Sequence, residues 1–224
     1  MASKDRSIAA ICYRPGMSTP NMAFRTEERL WRLIDERTKS GADTESIDER
    51  IWDLFGEEWT IMFTDLAGFS RHVASFGIIH FLQVIYEHKK LLLPIVEEKC
   101  GILLKAEADS LMIVFKRPAS ALAAAIEMQR ACQHANQRRI PEEHMLLCVG
   151  LGTGHVLRIG EADIYGSEVN AASKLGEDTA KANEILVTDA FKQAVEDDVS
   201  KLGVTFEELD TEVPGTAKSW RVRY

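Results

Sequence analysis

The stretch ILLKAEADSLMIVF, residues 102–115, consists of two short apolar runs joined by a polar, acidic segment. Apolar runs of this length on either side of a polar turn are typical of a β-hairpin. The turn falls on residues 106–110, so it carries the carboxylate of Asp109. We therefore predict two paired strands with an acidic turn between them.

Helix and strand patterns flank this hairpin on both sides. Before it, residues 59–63 are an apolar strand, and residues 76–100 repeat apolar side chains near the helical period. After it, an alanine-rich helix begins at Pro118 and runs to about residue 136, and residues 145–152 form another strand. The order βαββαβ is that of a ferredoxin-like fold. We predict an α+β fold whose helices cover one face of a mainly antiparallel sheet, with extra helices and strands at its C-terminal end.

The chain before this core falls into two regions. Residues 1–22 combine Pro, Gly and Ser with little periodicity, which predicts a flexible leader. Residues 23–57 predict two N-terminal amphipathic helices, the second capped by Thr44 or Ser46. These helices could pack on the rest of the chain or on a second copy, or they could transmit a regulatory signal. Residues 58–224 then form the main domain.

The composition argues against several functional classes. The 224 residues include 27 Lys and Arg against 35 Asp and Glu, a net charge of −8, which disfavours a basic nucleic-acid-binding face. No uncharged apolar stretch approaches the roughly 20 residues that span a bilayer, and residues 1–19 lack the apolar core of a signal peptide. We therefore expect a cytoplasmic protein without a membrane segment. No CxxC spacing occurs, so we expect reduced thiols at Cys12, Cys100, Cys132 and Cys148.

Two aspartates stand where the ends of neighbouring strands can meet. Asp65 follows the first strand, and Asp109 lies in the hairpin turn. In a βαββαβ sheet the two positions can share one edge, where paired carboxylates repel each other unless a cation lies between them. Mg²⁺ and Mn²⁺ prefer such oxygen ligands. The small residues of LAGFS, residues 66–70, allow the backbone to approach a ligand closely.

Other nucleotide-binding signatures are missing from the sequence. No GxxxxGK[ST] segment occurs, which argues against a P-loop enzyme. The glycines of GLG, residues 150–152, lack the third glycine of a dinucleotide-binding loop. We interpret them as a strand bulge.

Three separate motifs resemble the catalytic domain of class III nucleotidyl cyclases of the compact bacterial type. FTDLAGFS, residues 63–70, is similar to the first metal-binding motif, and KAEADSLM, residues 105–112, to the second, usually Lys-x-x-Gly-Asp. DIYGSEVNAASKL, residues 163–175, is similar to the third, usually Asp-x-x-Gly-x-x-Val-Asn-x-Ala-Ser-Arg. The motifs follow the family's order, and the resemblance implies that residues 58–224 are a nucleotidyl cyclase catalytic domain.

The resemblance implies an adenylate cyclase, which converts ATP to 3′,5′-cyclic AMP and pyrophosphate in a head-to-tail homodimer. Asp65 and Asp109 of one protomer would hold two Mg²⁺ or Mn²⁺ ions. In the other protomer, Lys105 would donate to adenine N1 and Asp163 would accept from the 6-amino group. Asn170 would orient the ribose.

Triphosphate contacts are implied for residues near both ends of the domain, namely Gly68, Phe69, Ser70 and Lys218. The homodimer would be strengthened by apolar side chains of the first N-terminal helix, namely Leu30, Trp31 and Leu33. Two positions depart from the family pattern. Lys174 stands where an arginine usually contacts the transition-state phosphate, and lysine lacks the bidentate fork. Ala108 replaces the glycine before the second metal-binding aspartate, and it would strain the turn if that position requires positive φ.

Two alternatives remain open within this resemblance. The chain could be a cyclase of another base, either guanine or a pyrimidine. It could also be a degenerate cyclase-like domain that binds nucleotide and regulates a partner. In each case the N-terminal helices could connect the domain to an upstream regulator.

Overall fold

A computed structural model describes residues 27–68, 77–161, 163–210 and 213–224. The chain begins there with two helices, α1 (Glu27–Arg37) and α2 (Thr44–Phe55). Asp43 caps α2 by accepting a hydrogen bond from the backbone nitrogen of Ser46, so the prediction of Thr44 or Ser46 as the cap is wrong.

Eight strands form one sheet in the described part of the chain. They are β1 (Gly56–Leu66), β2 (Ile102–Glu107), β3 (Ser110–Phe115), β4 (Leu147–Ile159), β5 (Asp163–Tyr165), β6 (Ile185–Thr188), β7 (Thr205–Glu208) and β8 (Ser219–Arg223). Their order is β2-β3-β1-β4-β6-β8-β7, with β5 paired to β4. Only the β4–β6 pair among these is parallel. The part β2-β3-β1-β4 has the predicted ferredoxin-like order, and the mainly antiparallel sheet is confirmed.

Helices follow the strands in the predicted alternation. The longer ones are α3 (Ile78–Glu98) and α4 (Pro118–Asn136). Shorter ones are α5 (Ser167–Ser173), a π-helical turn (Lys174–Thr179), α6 (Asp189–Ala194) and α7 (Val199–Leu202). Two 3₁₀ turns occupy Pro141–Glu143 and Glu196–Asp198. None of the helices in the described residues is long and apolar enough to cross a membrane.

The sheet is covered by helices on both faces. Met62 of β1 belongs to the larger core with Leu122 of α4, whereas its neighbour Ile61 packs with Ala172 of α5 on the other side. The prediction that helices cover one face is therefore wrong for α5. The strand bulge predicted at residues 150–152 is also absent, because β4 pairs with β1 there without a register shift.

The N-terminal helices pack on the rest of the same chain. Leu30 and Leu33 are buried in a cluster that includes Ile159 of β4. These two leucines are thus unavailable for the predicted dimer contact. Trp31 is 55% exposed and remains available.

A buried histidine makes the stability of this fold depend on pH. His88 of α3 is fully buried, and neither ring nitrogen has a hydrogen-bond partner among the described residues. Burial, and to a smaller extent the charge of Lys89, lowers the pKa of His88 from 6.5 to about 4. As the pH falls from 6.5 towards 4, His88 is therefore protonated in the unfolded chain before it is protonated in the folded chain. The free energy of unfolding falls by up to about 3 kcal/mol over this range.

We expect His88→Leu to be more stable than the wild type by about 1–3 kcal/mol at pH 7. The variant should also lose less stability than the wild type between pH 6.5 and pH 4.5. Urea unfolding at both pH values measures this difference. The exposed His134→Leu is the control, and an identical pH dependence in wild type and His88→Leu would contradict the interpretation.

Candidate functional site

The two predicted metal-binding aspartates lie together at one end of the sheet. Asp65 lies near the end of β1, and Asp109 lies in the β2–β3 turn. The hydroxyl of Ser110 donates to the Asp65 carboxylate at 3.3 Å. Asp109 is only 7% exposed. Burial, and then the charge of Asp65, raises the pKa of the Asp109 carboxyl to about 7.

This pair suits a divalent cation that takes its other ligands from a substrate. Both side chains offer only carboxylate oxygens, and the charge of Asp65 disfavours the charged form of Asp109. In the described residues no group of three or more His, Cys, Asp or Glu side chains could hold a metal ion. Mg²⁺ is commonly bound by one or two carboxylates together with waters and substrate phosphates. The donor set therefore fits Mg²⁺ or Mn²⁺ bound together with a phosphate-bearing ligand.

The turn that carries Asp109 has a strained backbone. Ala108 has φ of +47°, in the left-handed region that glycine adopts without penalty. Ala108 stands where the family usually has glycine, so its positive φ strains the turn. This strain costs about 1–2 kcal/mol of conformational free energy. Gly68, in the turn after β1, has φ of +86°, which its residue type allows.

A cavity of about 320 Å³ lies beside the acidic pair. Its walls come from β1, β2, β3, β5, α5 and the π-helical turn. The lining residues are Phe63, Lys105, Glu107, Ser110, Met112, Asp163, Ile164, Tyr165, Val169, Asn170 and Glu177. Ser110 belongs to this wall and also bonds Asp65, so the cavity and the acidic pair are adjacent.

The cavity brings together the two residues predicted to read a base. The ammonium of Lys105 donates to the Asp163 carboxylate at 2.7 Å, across 58 residues of sequence. This hydrogen bond raises the pKa of Lys105 above its usual value. Asp163 reaches this position because β5 folds back on the end of β4, where it pairs with Ile159.

Asn170 lines the same cavity from α5. A half-buried anchor fixes the start of this helix. The Glu168 carboxylate accepts hydrogen bonds from the backbone nitrogen of Thr153 in β4 at 3.1 Å and from the hydroxyl of Thr188 in β6 at 2.6 Å. Burial raises the pKa of Glu168. The position of Asn170 is thus set by contacts to two strands.

Two predicted phosphate contacts lie outside the cavity of their own chain. Lys174 forms an ion pair with Asp178 at 2.6 Å, and Lys218 forms one with Glu208 at 2.7 Å. All four of these side chains are exposed. The other predicted phosphate contacts, Phe69 and Ser70, lie outside the described residues.

Sequence reasoning missed several cavity residues, of which Glu107, Ser110, Tyr165 and Glu177 are polar. Glu107 could have been found from the strand period, because residues two apart on a strand share a face and Lys105 was already placed in the site. By the same rule, Tyr165 could have been placed in the cavity because it lies two residues after Asp163 on β5.

Comparison with known proteins finds one matching family and a curated relative. The family model of the adenylate and guanylate cyclase catalytic domain matches residues 56–221. Among curated proteins, the serine/threonine-protein kinase pkn2 of Myxococcus xanthus is 29% identical over 136 residues. The match covers 60% of this chain but only 16% of that protein.

Several solved structures share the fold. An adenylate/guanylate cyclase/hydrolase from Silicibacter pomeroyi has a TM-score of 0.64 and 24% identity, covering 74% of this chain and 96% of its own. The adenylyl cyclase CyaB of P. aeruginosa has a TM-score of 0.62 and 19% identity, with coverages of 75% and 95%. The guanylate cyclase domain of RhGC from Catenaria anguillulae, in complex with GTP, has a TM-score of 0.61 and 18% identity, with coverages of 75% and 96%. At these identities the likeness concerns the fold.

Proposed function

This chain belongs to the family of adenylate and guanylate cyclase catalytic domains, and we propose that it converts ATP to 3′,5′-cyclic AMP and pyrophosphate. The observation that carries the choice of ATP is the pair of Lys105 and Asp163 on the cavity wall. A lysine ammonium donates to N1 of adenine, and a carboxylate accepts from the 6-amino group. Guanine presents the opposite donor and acceptor at these positions, so the pair favours ATP over GTP.

The reaction joins the ribose 3′-oxygen to the α-phosphorus and breaks the bond from that phosphorus to the leaving pyrophosphate. Asp65 and Asp109 would hold two Mg²⁺ or Mn²⁺ ions, which supply charge neutralisation and a lowered pKa of the 3′-hydroxyl. Asn170 orients the ribose from the cavity wall. Correct orientation of the two reacting groups is itself a large part of such catalysis.

We infer a homodimer because the acidic pair of a chain lies next to its own cavity but does not line it. The cavity holds the base-reading pair and Asn170, whereas neither Asp65 nor Asp109 lines it. A head-to-tail dimer brings the acidic pair of one copy to the cavity of the other and creates two equivalent sites. In that assembly Lys174 and Lys218 would exchange their surface ion pairs for contacts with the triphosphate, which Gly68, Phe69 and Ser70 would also contact.

The N-terminal helices are placed to influence the cavity. A groove of about 410 Å³ is lined by residues of these helices and of β4 and β5, among them Trp31, Trp52 and Tyr165. Tyr165 also lines the cavity, two residues after Asp163. An upstream regulator that moved the helices would thus act on the strand that reads the base.

A nucleotide-binding regulatory domain is the second candidate function. The strained φ of Ala108 and the ion pair that holds Lys174 on Asp178 favour it. Such a domain would bind the nucleotide and form no cyclic product.

We expect the wild-type chain with Mn²⁺ to form cyclic AMP and pyrophosphate from ATP, and Lys105→Glu to impair this strongly. The glutamate cannot donate to adenine N1, so kcat/KM for ATP should fall about a hundredfold or more, and that for GTP less than about tenfold. Rates of cyclic nucleotide formation measure both values. The control is Lys201→Glu, which changes an exposed lysine of α7. Unchanged ATP kinetics in Lys105→Glu would overturn the base assignment, and cleavage of ATP to ADP would overturn the activity.

A further inference from the structure

The cavity contains a carboxylate to which the proposed chemistry assigns no role. Lys105 and Glu107 lie two residues apart on β2, and both line the cavity. Their cross-strand partners on β3, Met112 and Ser110, line it as well. These four side chains therefore form one continuous wall on a single face of the hairpin.

The charged side chains that line the cavity differ in the hydrogen bonds that they form. The ammonium of Lys105 is bonded to Asp163. Among the described residues, no side chain is found that donates a hydrogen bond to the Glu107 carboxylate or forms an ion pair with it. Glu177, the other glutamate of the cavity, differs because its carboxylate accepts a hydrogen bond from the hydroxyl of Ser173. Glu107 therefore presents, on the wall that holds the base-reading pair, a carboxylate without a hydrogen-bond partner among the described residues, although its charge also raises the pKa of Lys105.

We propose that Glu107 is a specificity-determining residue that selects an amino base, adenine or cytosine, over a keto base, guanine or uracil. The inference rests on the proposed function, because it assumes that the base occupies this wall. The exocyclic amino group of adenine or cytosine has two N–H donors. Asp163 accepts one of them, and Glu107 accepts the other.

A keto base at the same position would meet both carboxylates with an oxygen. The 6-oxygen of guanine and the 4-oxygen of uracil carry no hydrogen, so Asp163 would keep only its bond from Lys105 and Glu107 would gain no partner. Leaving a charged group without a hydrogen-bond partner in a binding site costs free energy. Through this cost, a site that bonds a polar group of its substrate rejects analogues that lack the group. Glu107 thus adds to the Lys105–Asp163 pair a second contact that distinguishes amino from keto bases.

The test uses the full chain and nucleotides that bind without reacting. The probes are the 2′,3′-dideoxy triphosphates of adenosine, cytidine, guanosine and uridine, which lack the 3′-hydroxyl and cannot cyclise. Dissociation constants with Mn²⁺ are measured by titration calorimetry for the wild type, Glu107→Gln, Glu107→Ala and Glu177→Gln. Circular dichroism verifies that each variant is folded, and two substitutions at position 107 guard against a defect peculiar to one.

We expect the wild type to bind the amino nucleotides more tightly than the keto nucleotides. Both Glu107 variants should reduce the ratio of the guanosine to the adenosine dissociation constant by about tenfold or more. Glu177→Gln removes the same charge from the same cavity and should leave this ratio within about twofold, because its carboxylate is engaged with Ser173.

Two results would overturn the inference. One is an equal change for all four nucleotides in the Glu107 variants, which would mean that the carboxylate acts only on the shared triphosphate. The other is a wild type that binds none of them, or binds all four equally. The proposed activity is judged separately, from the cyclic product of wild type with ordinary triphosphates. Product without base discrimination at Glu107 defeats the inference alone, and discrimination without product defeats the proposed activity alone.

Discussion

Chains carrying Asp65→Ala and chains carrying Asn170→Ala are each expected to be inactive, and their mixture is expected to recover activity. Each substitution should lower the rate of cyclic AMP formation by more than about a hundredfold, since one removes a metal ligand and the other the group that orients the ribose. In a mixed dimer, one of the two sites combines the intact acidic pair of one copy with the intact cavity of the other. Equal co-expression should make about half of the dimers mixed, so about a quarter of wild-type activity should return.

A matched mixture serves as the control for this recovery. Asp65→Ala combined with Asp109→Ala damages the acidic pair in both copies, so neither site of the mixed dimer is intact. This mixture should stay inactive. Equal recovery in both mixtures, or none in the first, would contradict a site shared between two copies.

Gly150→Ala should destabilise the fold more than other glycine substitutions in the described residues at open positions. A Cβ at Gly150 would lie 2.1 Å from the carbonyl oxygen of Ala172 and 2.3 Å from the backbone nitrogen of Gly176. Both are backbone atoms of the segment packed on β4, so α5 and the π-helical turn would have to move. We expect a loss of about 3 kcal/mol or more in the free energy of unfolding.

The cost at Gly150 can be separated from the general cost of replacing glycine. Gly160→Ala places a Cβ where no atom lies within 4 Å and adds only the strain of a φ of +59°. Its expected cost is about 1–2 kcal/mol. Urea unfolding compares the two variants. Equal losses of stability would show that the close approach of α5 to β4 is not a determinant of the fold.

The order of the elements could be predicted because each carries its own local pattern. The apolar runs on both sides of Asp109 give the hairpin, and the aspartates near the end of the first strand and in the hairpin turn give the candidate metal pair. The lengths of the strands were harder to predict from the sequence. The first strand was predicted to begin at Trp59, but β1 begins at Gly56. Glu57 and Glu58 are polar, and only their pairing with β4 places them in the strand.

Contacts between distant segments could not be predicted from periodicity. A helical stripe such as that of Leu30 and Leu33 indicates that one face is apolar, but not that β4 of the same chain covers it. The packing of α5 on the second face depends on Gly150, whose missing side chain is visible only as a gap in the apolar pattern. Likewise the contact of Lys105 with Asp163 was expected from family resemblance alone, since 58 residues separate them.

The most direct test of the proposed function is the identity of the product. Wild type and Asp65→Ala chains are incubated with ATP, GTP, CTP and UTP in the presence of Mg²⁺ or Mn²⁺, and the products are separated by mass spectrometry. We predict 3′,5′-cyclic AMP as the main product of the wild type, with none from Asp65→Ala. A different cyclic nucleotide would contradict the base assignment to Lys105 and Asp163. No cyclic product from any of the four nucleotides would contradict the proposed catalysis and favour a nucleotide-binding regulatory domain.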